Sequence, residues 1–291
     1  VDASDNSISY GTPAVFASAS TNAVSSVFDS SNNKVVIAYA DSGNSNKGTA
    51  IVATVSGTSI SFGSEAVFET GAVEYVTTAF DSSNNKVVIT YKDSGNSSYG
   101  TAVVATVSGT SVSFGTPVVF LSGMVVNPST IFDSNANKTV TAYRNASDAN
   151  DAGTAIVGTV SGTSISFGTP AVFENNNNQV GDLAFDSNSN KVVIPYVDNN
   201  VDGTNYGTVV IGTVSGTNIT FGTPVTFATS YTSSYLSATF DSSSNKVLVV
   251  HANNGSSYAG TAIVGTVSGT SISFGTAFVY TSNSAYTTYI G

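Results

Sequence analysis

The stretch Tyr75-Val76-Thr77-Thr78-Ala79-Phe80-Asp81-Ser82-Ser83-Asn84-Asn85-Lys86-Val87-Val88-Ile89-Thr90-Tyr91 decides the fold. Two runs of β-branched and aromatic residues flank five polar residues that bond their own backbone or tolerate positive φ. This is a strand, a tight reversal and a second strand. Thr101 to Val107 and Ser111 to Phe120 read as a third and a fourth strand, reversed at Ser108-Gly109-Thr110. We letter these strands A to D. No stretch carries a helical period, so the fold class is all-β.

The same text recurs along the chain. Phe-Asp stands at Phe28-Asp29, Phe80-Asp81, Phe132-Asp133, Phe185-Asp186 and Phe240-Asp241, spaced by 52, 52, 53 and 55 residues. A second marker, Phe-Gly, keeps step at 62, 114, 167, 221 and 274, with a variant copy at Tyr10-Gly11. The run Thr-Val-Ser-Gly-Thr is repeated five times without change, which implies recent amplification or consensus design.

Strand B places Val35, Ile37 and Tyr39 on one face and Val36 and Ala38 on the other. Strand C likewise sets Ile51, Ala53 and Val55 opposite Ala50 and Val52. A sheet apolar on both faces has to be sandwiched between copies of itself. Radial repetition does this while leaving only short edges, so the sequence predicts a β-propeller of four-stranded antiparallel blades. It forms a single domain over 1–291, with repeats at about 22–70, 74–122, 126–175, 179–229 and 234–281 and lone strands at 6–16 and 285–290. Five blades are the expected count, and six positions with one incomplete blade are the alternative.

The hairpin Thr106-Val107-Ser108-Gly109-Thr110-Ser111-Val112-Ser113-Phe114-Gly115-Thr116-Pro117 resembles that of sialidase-like propellers with Asp-box repeats. Phe stands for the family's Trp, and the Asp is missing. The resemblance implies the blade layout. It also implies an arginine triad for sialidase chemistry, and this chain has one arginine, Arg144, so that chemistry is not expected.

Composition narrows the function. Of the 291 residues only 9% are charged, against roughly 25% in an average soluble protein. The net charge of −10 repels phosphate backbones and anionic headgroups, so neither nucleic acid nor membrane insertion is expected. The start, Val1-Asp2-Ala3-Ser4, has no basic segment followed by an apolar one and reads as a processed product or an excised piece. Zero cysteines exclude disulfides, thiolate catalysis and iron–sulfur clusters. A surface wetted by Ser, Thr and Asn favours a secreted, cell-surface or virion location.

The five Asp of the A–B turns are each followed five residues later by Lys, at 34, 86, 138, 191 and 246. These are either a repeated ligand site or an Asx turn with an Asp–Lys pair across it, and the turn is preferred because every copy has it. The B–C loops vary more, and loops on a rigid scaffold carry binding residues. Asp41, Asn44, Tyr91, Asp93, Asn96, Tyr99, Arg144, Tyr196 and Asp198 are the candidate ligand-binding set, with tyrosine rings stacking on a sugar and Asp or Asn bonding its hydroxyls. The competing reading packs the tyrosines between blades.

Asp148, Asp151, Asp198 and Asp202 are candidate calcium ligands, and no other cofactor is expected. His251, the one histidine, takes the strand-B position of Tyr39, Tyr91, Tyr143 and Tyr196 and is a packing substitute. Glu65, Glu69 and Glu74 cluster between two repeats, so a carboxylate dyad for glycoside cleavage is conceivable. The expected function is a non-enzymatic, glycan-binding module, lectin-like, of an adhesion or phage-tail type. Its partners would be glycans or a surface receptor, with self-association through the terminal strands. A structural spacer or filament subunit is the alternative, and a glycoside-cleaving enzyme trails both.

Overall fold

A computed structural model describes residues 10–199, 205–229, 232–253 and 258–284. It is all-β, and among the described residues the one helical feature is a 3-10 turn at Ser42–Asn44. The strands form five consecutive four-stranded antiparallel meanders, which we call units 1 to 5.

Unit 1 holds β1 (Thr21–Asp29), β2 (Lys34–Asp41), β3 (Lys47–Ser56) and β4 (Ser59–Phe62), and β5 (Ala66–Asp81) leads on into unit 2. Unit 2 continues with β6 (Lys86–Asp93), β7 (Tyr99–Ser108) and β8 (Ser111–Phe114), and β9 (Val118–Asp133) crosses to unit 3. Unit 3 adds β10 (Lys138–Asn145), β11 (Gly153–Ser161), β12 (Ser164–Phe167) and β13 (Ala171–Glu174). Unit 4 comprises β14 (Asn178–Val180), β15 (Ala184–Asp186), β16 (Lys191–Asn199), β17 (Asn205–Ser215), β18 (Asn218–Phe221) and β19 (Val225–Ala228). Unit 5 comprises β20 (Thr232–Asp241), β21 (Lys246–Asn253), β22 (Ala259–Ser268), β23 (Ser271–Phe274) and β24 (Phe278–Ser284).

Strands A, B and C follow the sequence reading. Strand D does not. Ser111 to Phe120 was expected as one strand, yet Phe114 pairs with Ala105 and Val118 with Ala102, so Gly115-Thr116-Pro117 bulges out between them. A proline has no N–H for the ladder, and Gly115 is pressed against the next unit. A Cβ on Gly115 would lie 1.8 Å from the Thr163 carbonyl oxygen, and Gly63 stands in the same relation to Thr110. Beyond the bulge the chain runs from strand D of one unit straight into strand A of the next, as in β5, with no linker between the first repeats.

The expected lone strand at 6–16 is also corrected. Residues 10–16 form no strand, because a D segment pairs with the C strand of its own unit and, among the described residues, none pairs with these. Residues 6–9 and 285–290 lie outside the described residues.

Both reversals are set by local chemistry. Asp29 Oδ1 accepts from Ser31 N–H at 3.0 Å and Asn32 N–H at 3.1 Å, and Asp81 does the same with Ser83 and Asn84. The turn ends on Asn33 or Asn85, both at φ 53°, a conformation asparagine tolerates. The Asx turn is thus as read from sequence, but the Asp–Lys pair across it does not form: Lys92–Glu74 is the one ion pair among the described residues. The C–D reversal puts Gly57 at φ 58° in the first position of a two-residue hairpin turn, where glycine is unstrained.

The core sits between units. Val36, Ala38, Ala50, Val52 and Phe68 of unit 1 pack on Val87, Ile89 and Tyr91 of unit 2. Three further clusters join units 2 to 3, 3 to 4 and 4 to 5 in the same way. Each junction carries an aromatic trio, such as Phe68 with Tyr91 at 5.2 Å and Phe114 at 5.8 Å.

Candidate functional site

The A strands of all five units line one cavity of about 1310 Å³. Two side-chain positions recur around it. Five residues before each Phe-Asp phenylalanine stand Ala23, Tyr75, Asn127, Val180 and Tyr235, all lining the cavity. Ala23, Tyr75 and Asn127 have φ of 48°, 51° and 46°, at a bulge that turns strand A. A bulky residue such as tyrosine takes positive φ only when its surroundings hold it there.

Three residues before the same phenylalanine stand Ser25, Thr77, Ser129, Asp182 and Ser237. These residues link the units around the cavity. Ser25 Oγ and Thr78 Oγ1 share a hydrogen bond of 2.8 Å. Thr130 N–H donates to Thr77 Oγ1 at 3.3 Å, and Leu183 N–H to Ser129 Oγ at 3.1 Å. In unit 4 the hydroxyl is replaced by a carboxyl, which accepts from Ser237, while Ala238 N–H donates to the Asp182 carbonyl at 3.1 Å.

Asp182 and Arg144 are the charged residues among those lining the cavity. Burial pushes the Asp182 carboxyl above the usual carboxylate range, opposed only by the Ser237 hydroxyl. Arg144 Nη1 donates to Asn177 Oδ1 at 2.9 Å, and Asn199 Nδ2 donates to the same oxygen at 3.1 Å.

A second cavity of about 510 Å³ shares Ala23 and Tyr75 with the first and is lined by Glu74. Burial pulls the Glu74 carboxyl upward. The Ser94 hydroxyl at 2.8 Å and the Lys92 ammonium at 3.1 Å outweigh this and hold it below its ordinary value.

The structure redistributes the residues expected from sequence. Tyr91 and Tyr196 are fully buried between units, so the sugar-stacking role expected of them is corrected: neither ring face is accessible. Their hydroxyls donate to Glu69 and Glu174, both at 3.1 Å, and Tyr39 donates to Glu65 at 2.8 Å. Three of the four glutamates are therefore tyrosine acceptors, and Glu74 is left.

Asp41 caps the 3-10 turn containing Asn44 by accepting from Gly43 N–H at 2.9 Å. Asp93 is buried beneath its loop, its carboxyl pushed up by burial and by the Glu69 charge. Asn96 closes that loop, its N–H on the Asp93 carbonyl and its own carbonyl taking Tyr99 N–H. Asp148 accepts from Asn150 N–H at 2.9 Å. Of the expected calcium ligands, Asp202 lies outside the described residues, and Asp148, Asp151 and Asp198 belong to no metal-sized cluster of three acidic or histidine side chains among the described residues. His251 packs edge-on against Phe227 at 5.3 Å, as the tyrosines pack on their own phenylalanines.

Arg144 is thus the one residue of the expected ligand set at the large cavity. Sequence reasoning missed Asp182, although alignment of the repeats displays it as the carboxyl in a column of hydroxyls.

No family model matches the chain, and no curated protein matches it. Among solved structures it is similar to the catalytic domain of a GH62 α-L-arabinofuranosidase from Coprinopsis cinerea. The TM-score is 0.42 at 10% identity, covering 84% of this chain and 87% of that one. The expectation of a non-enzymatic binder stands against this finding and is not carried further. At this level of similarity neither activity nor substrate passes to the present chain.

Proposed function

We propose that the chain is a single β-propeller domain whose axial cavity cleaves a glycoside, with Asp182 as the proton donor. The observation that carries this reading is one carboxyl, its pKa raised by burial, in a cavity otherwise lined by hydroxyls, amides, apolar groups and a single guanidinium. Glycoside cleavage needs a proton for the departing oxygen, which a carboxyl of raised pKa gives. Asp182 is pushed up and lines the cavity, which favours the acid role, whereas Glu74 lies in the second cavity. Asp182 would give its proton to the glycosidic oxygen as the bond to the anomeric carbon breaks. Water would attack that carbon and release its proton to the solvent.

The unit junctions bear on the blade count. Thr58 of unit 1 meets Gly11, the contact that Thr110 makes with Gly63, whereas a Cβ on Gly275 of unit 5 would meet no other unit within 4 Å among the described residues. This favours six positions over a five-blade ring, with residues 10–16 as the D segment of the sixth.

The test is hydrolysis of a panel of aryl glycosides and oligosaccharides. Turnover by the wild type, lowered about 10³-fold or more in Asp182→Asn with unchanged circular dichroism, is the expected result, proton donation being worth about 10²–10⁴. No turnover of any member, or full turnover by Asp182→Asn, overturns the reading.

A further inference from the structure

The exposed face of unit 5 has a defined complement. Val264 is 47% exposed, while Val52, Val104, Val157 and Ile211, its counterparts, are at most 1% exposed. Tyr280 is 48% exposed, against 6–9% for Phe68, Phe120 and Phe173. Each of those phenylalanines sits in a trio with a strand-B tyrosine and a strand-D phenylalanine of the following unit. Unit 1 cannot supply the partners of Tyr280, because Tyr39 and Phe62 already hold Phe16, at 5.3 and 6.1 Å.

The other side of the same trio is also in place. Tyr10 occupies the position of Phe62, Phe114 and Phe167 in the D segment that covers unit 1, and it is 84% exposed. Across the leading face of unit 1, Val35 and Ile37 are half-buried where Val87 and Ile89 of unit 2 are fully buried. Unit 5 thus offers a face that four internal junctions cover with strands B and C of the next unit. Unit 1, with its D segment, offers the opposing face.

We infer that these two faces form a docking site for a β-hairpin of the repeat's own B–C type. Its B strand ends in a tyrosine that seats between Tyr280 and Tyr10, and its C strand carries Gly-Thr-Ala followed by β-branched residues. The internal junctions supply the argument for this occupant: in each, the face equivalent to Val264 and Tyr280 is covered by such a hairpin, flanked by strands A and D of the same unit. The inference rests on the six-position reading of the propeller and is independent of the catalytic one.

The experiment fuses a second copy of the sequence of residues 81–110 to the end of the chain and compares it with the unfused protein. Expected are a rise in thermal midpoint of about 10 °C or more, as for several kcal/mol of added burial, and protection of Tyr280 from nitration. Both should be lost when the fusion also carries Val264→Asp. A fusion with unchanged midpoint and nitration overturns the docking site. Small-angle scattering of the unfused chain then separates the causes: a closed five-membered ring removes the six-position reading as well, and an open ring removes the hairpin alone. Sedimentation of the unfused chain gives the remaining outcome. A reversible dimer abolished by Val264→Asp assigns the face to a second whole copy and overturns the hairpin.

Discussion

Units 2 and 4 answer the hydroxyl of their buried strand-B tyrosine with a glutamate, and units 3 and 5 do not. Glu69 and Glu174 follow directly on Phe68 and Phe173, the phenylalanines that pack against Tyr91 and Tyr196. Leu121 and Ala228 stand at the equivalent places before units 3 and 5. The Tyr143 hydroxyl accordingly has no partner among the described residues, and in unit 5 the tyrosine has become His251, whose Nδ1 is likewise without one. The packing of the ring is the same in kind in all five units while its polar tip is satisfied in only some. The ring's apolar contacts therefore hold the junction, and the carboxylate is an addition that a unit can lose.

The largest effect expected from this contrast is acid sensitivity of unit 5. Burial lowers the pKa of His251 from 6.5 to about 4, so the fold holds the neutral imidazole. A depressed folded value means the stability is present above pH 6.5 and is lost as pH falls towards 4, by at most about 3 kcal/mol. Denaturant titrations at pH 7 and pH 4 should show this difference in the wild type and a smaller one in His251→Tyr, which installs the residue of the other four units. Equal slopes with pH in both proteins would break the comparison.

The next effect concerns the satisfied tyrosines. Tyr91→Phe and Tyr196→Phe each remove a donor from a carboxylate and are expected to cost about 1.5 kcal/mol in urea unfolding. Tyr143→Phe removes a buried hydroxyl that has no acceptor and should be neutral or stabilising by about 1 kcal/mol. If all three cost the same, the distinction between the units has no energetic content. Smallest is the coupling introduced by Leu121→Glu. In that background Tyr143→Phe should become unfavourable by about 1 kcal/mol, measured as a double-mutant cycle.

The fold was legible where the physics is local. Phe-Asp and Phe-Gly marked the period, alternation showed strands apolar on both faces, and Asp29 or Asp81 followed by Ser and Asn spelled a turn that forms as read. The broken D strand was hidden because its cause lies in another unit: Gly115 is there for the Thr163 carbonyl, a contact no single repeat reveals. The site was less legible for a related reason. Loop variation pointed to Asp41, Asp93 and Asp148, but short polar loops also vary while serving as their own turn formers, and these carboxylates face backbone N–H groups or burial. Period-2 alternation assigns Tyr91 to a face without saying whether that face is wet. Asp182 was visible only by reading one column down all five repeats, since beside its own neighbours it is an ordinary Asp after a Gly.

The hydroxyl column has a consequence for how such a chain changes. Each of Ser25, Thr77 and Ser129 reaches forward to the following unit, at a backbone N–H or a hydroxyl of the next residue along. The demand made on a neighbour is therefore nearly independent of which copy that neighbour is. Repeats can be reordered like beads, and a carboxyl acquired by one bead can be dealt to any seat around the cavity without its flanks being rewritten.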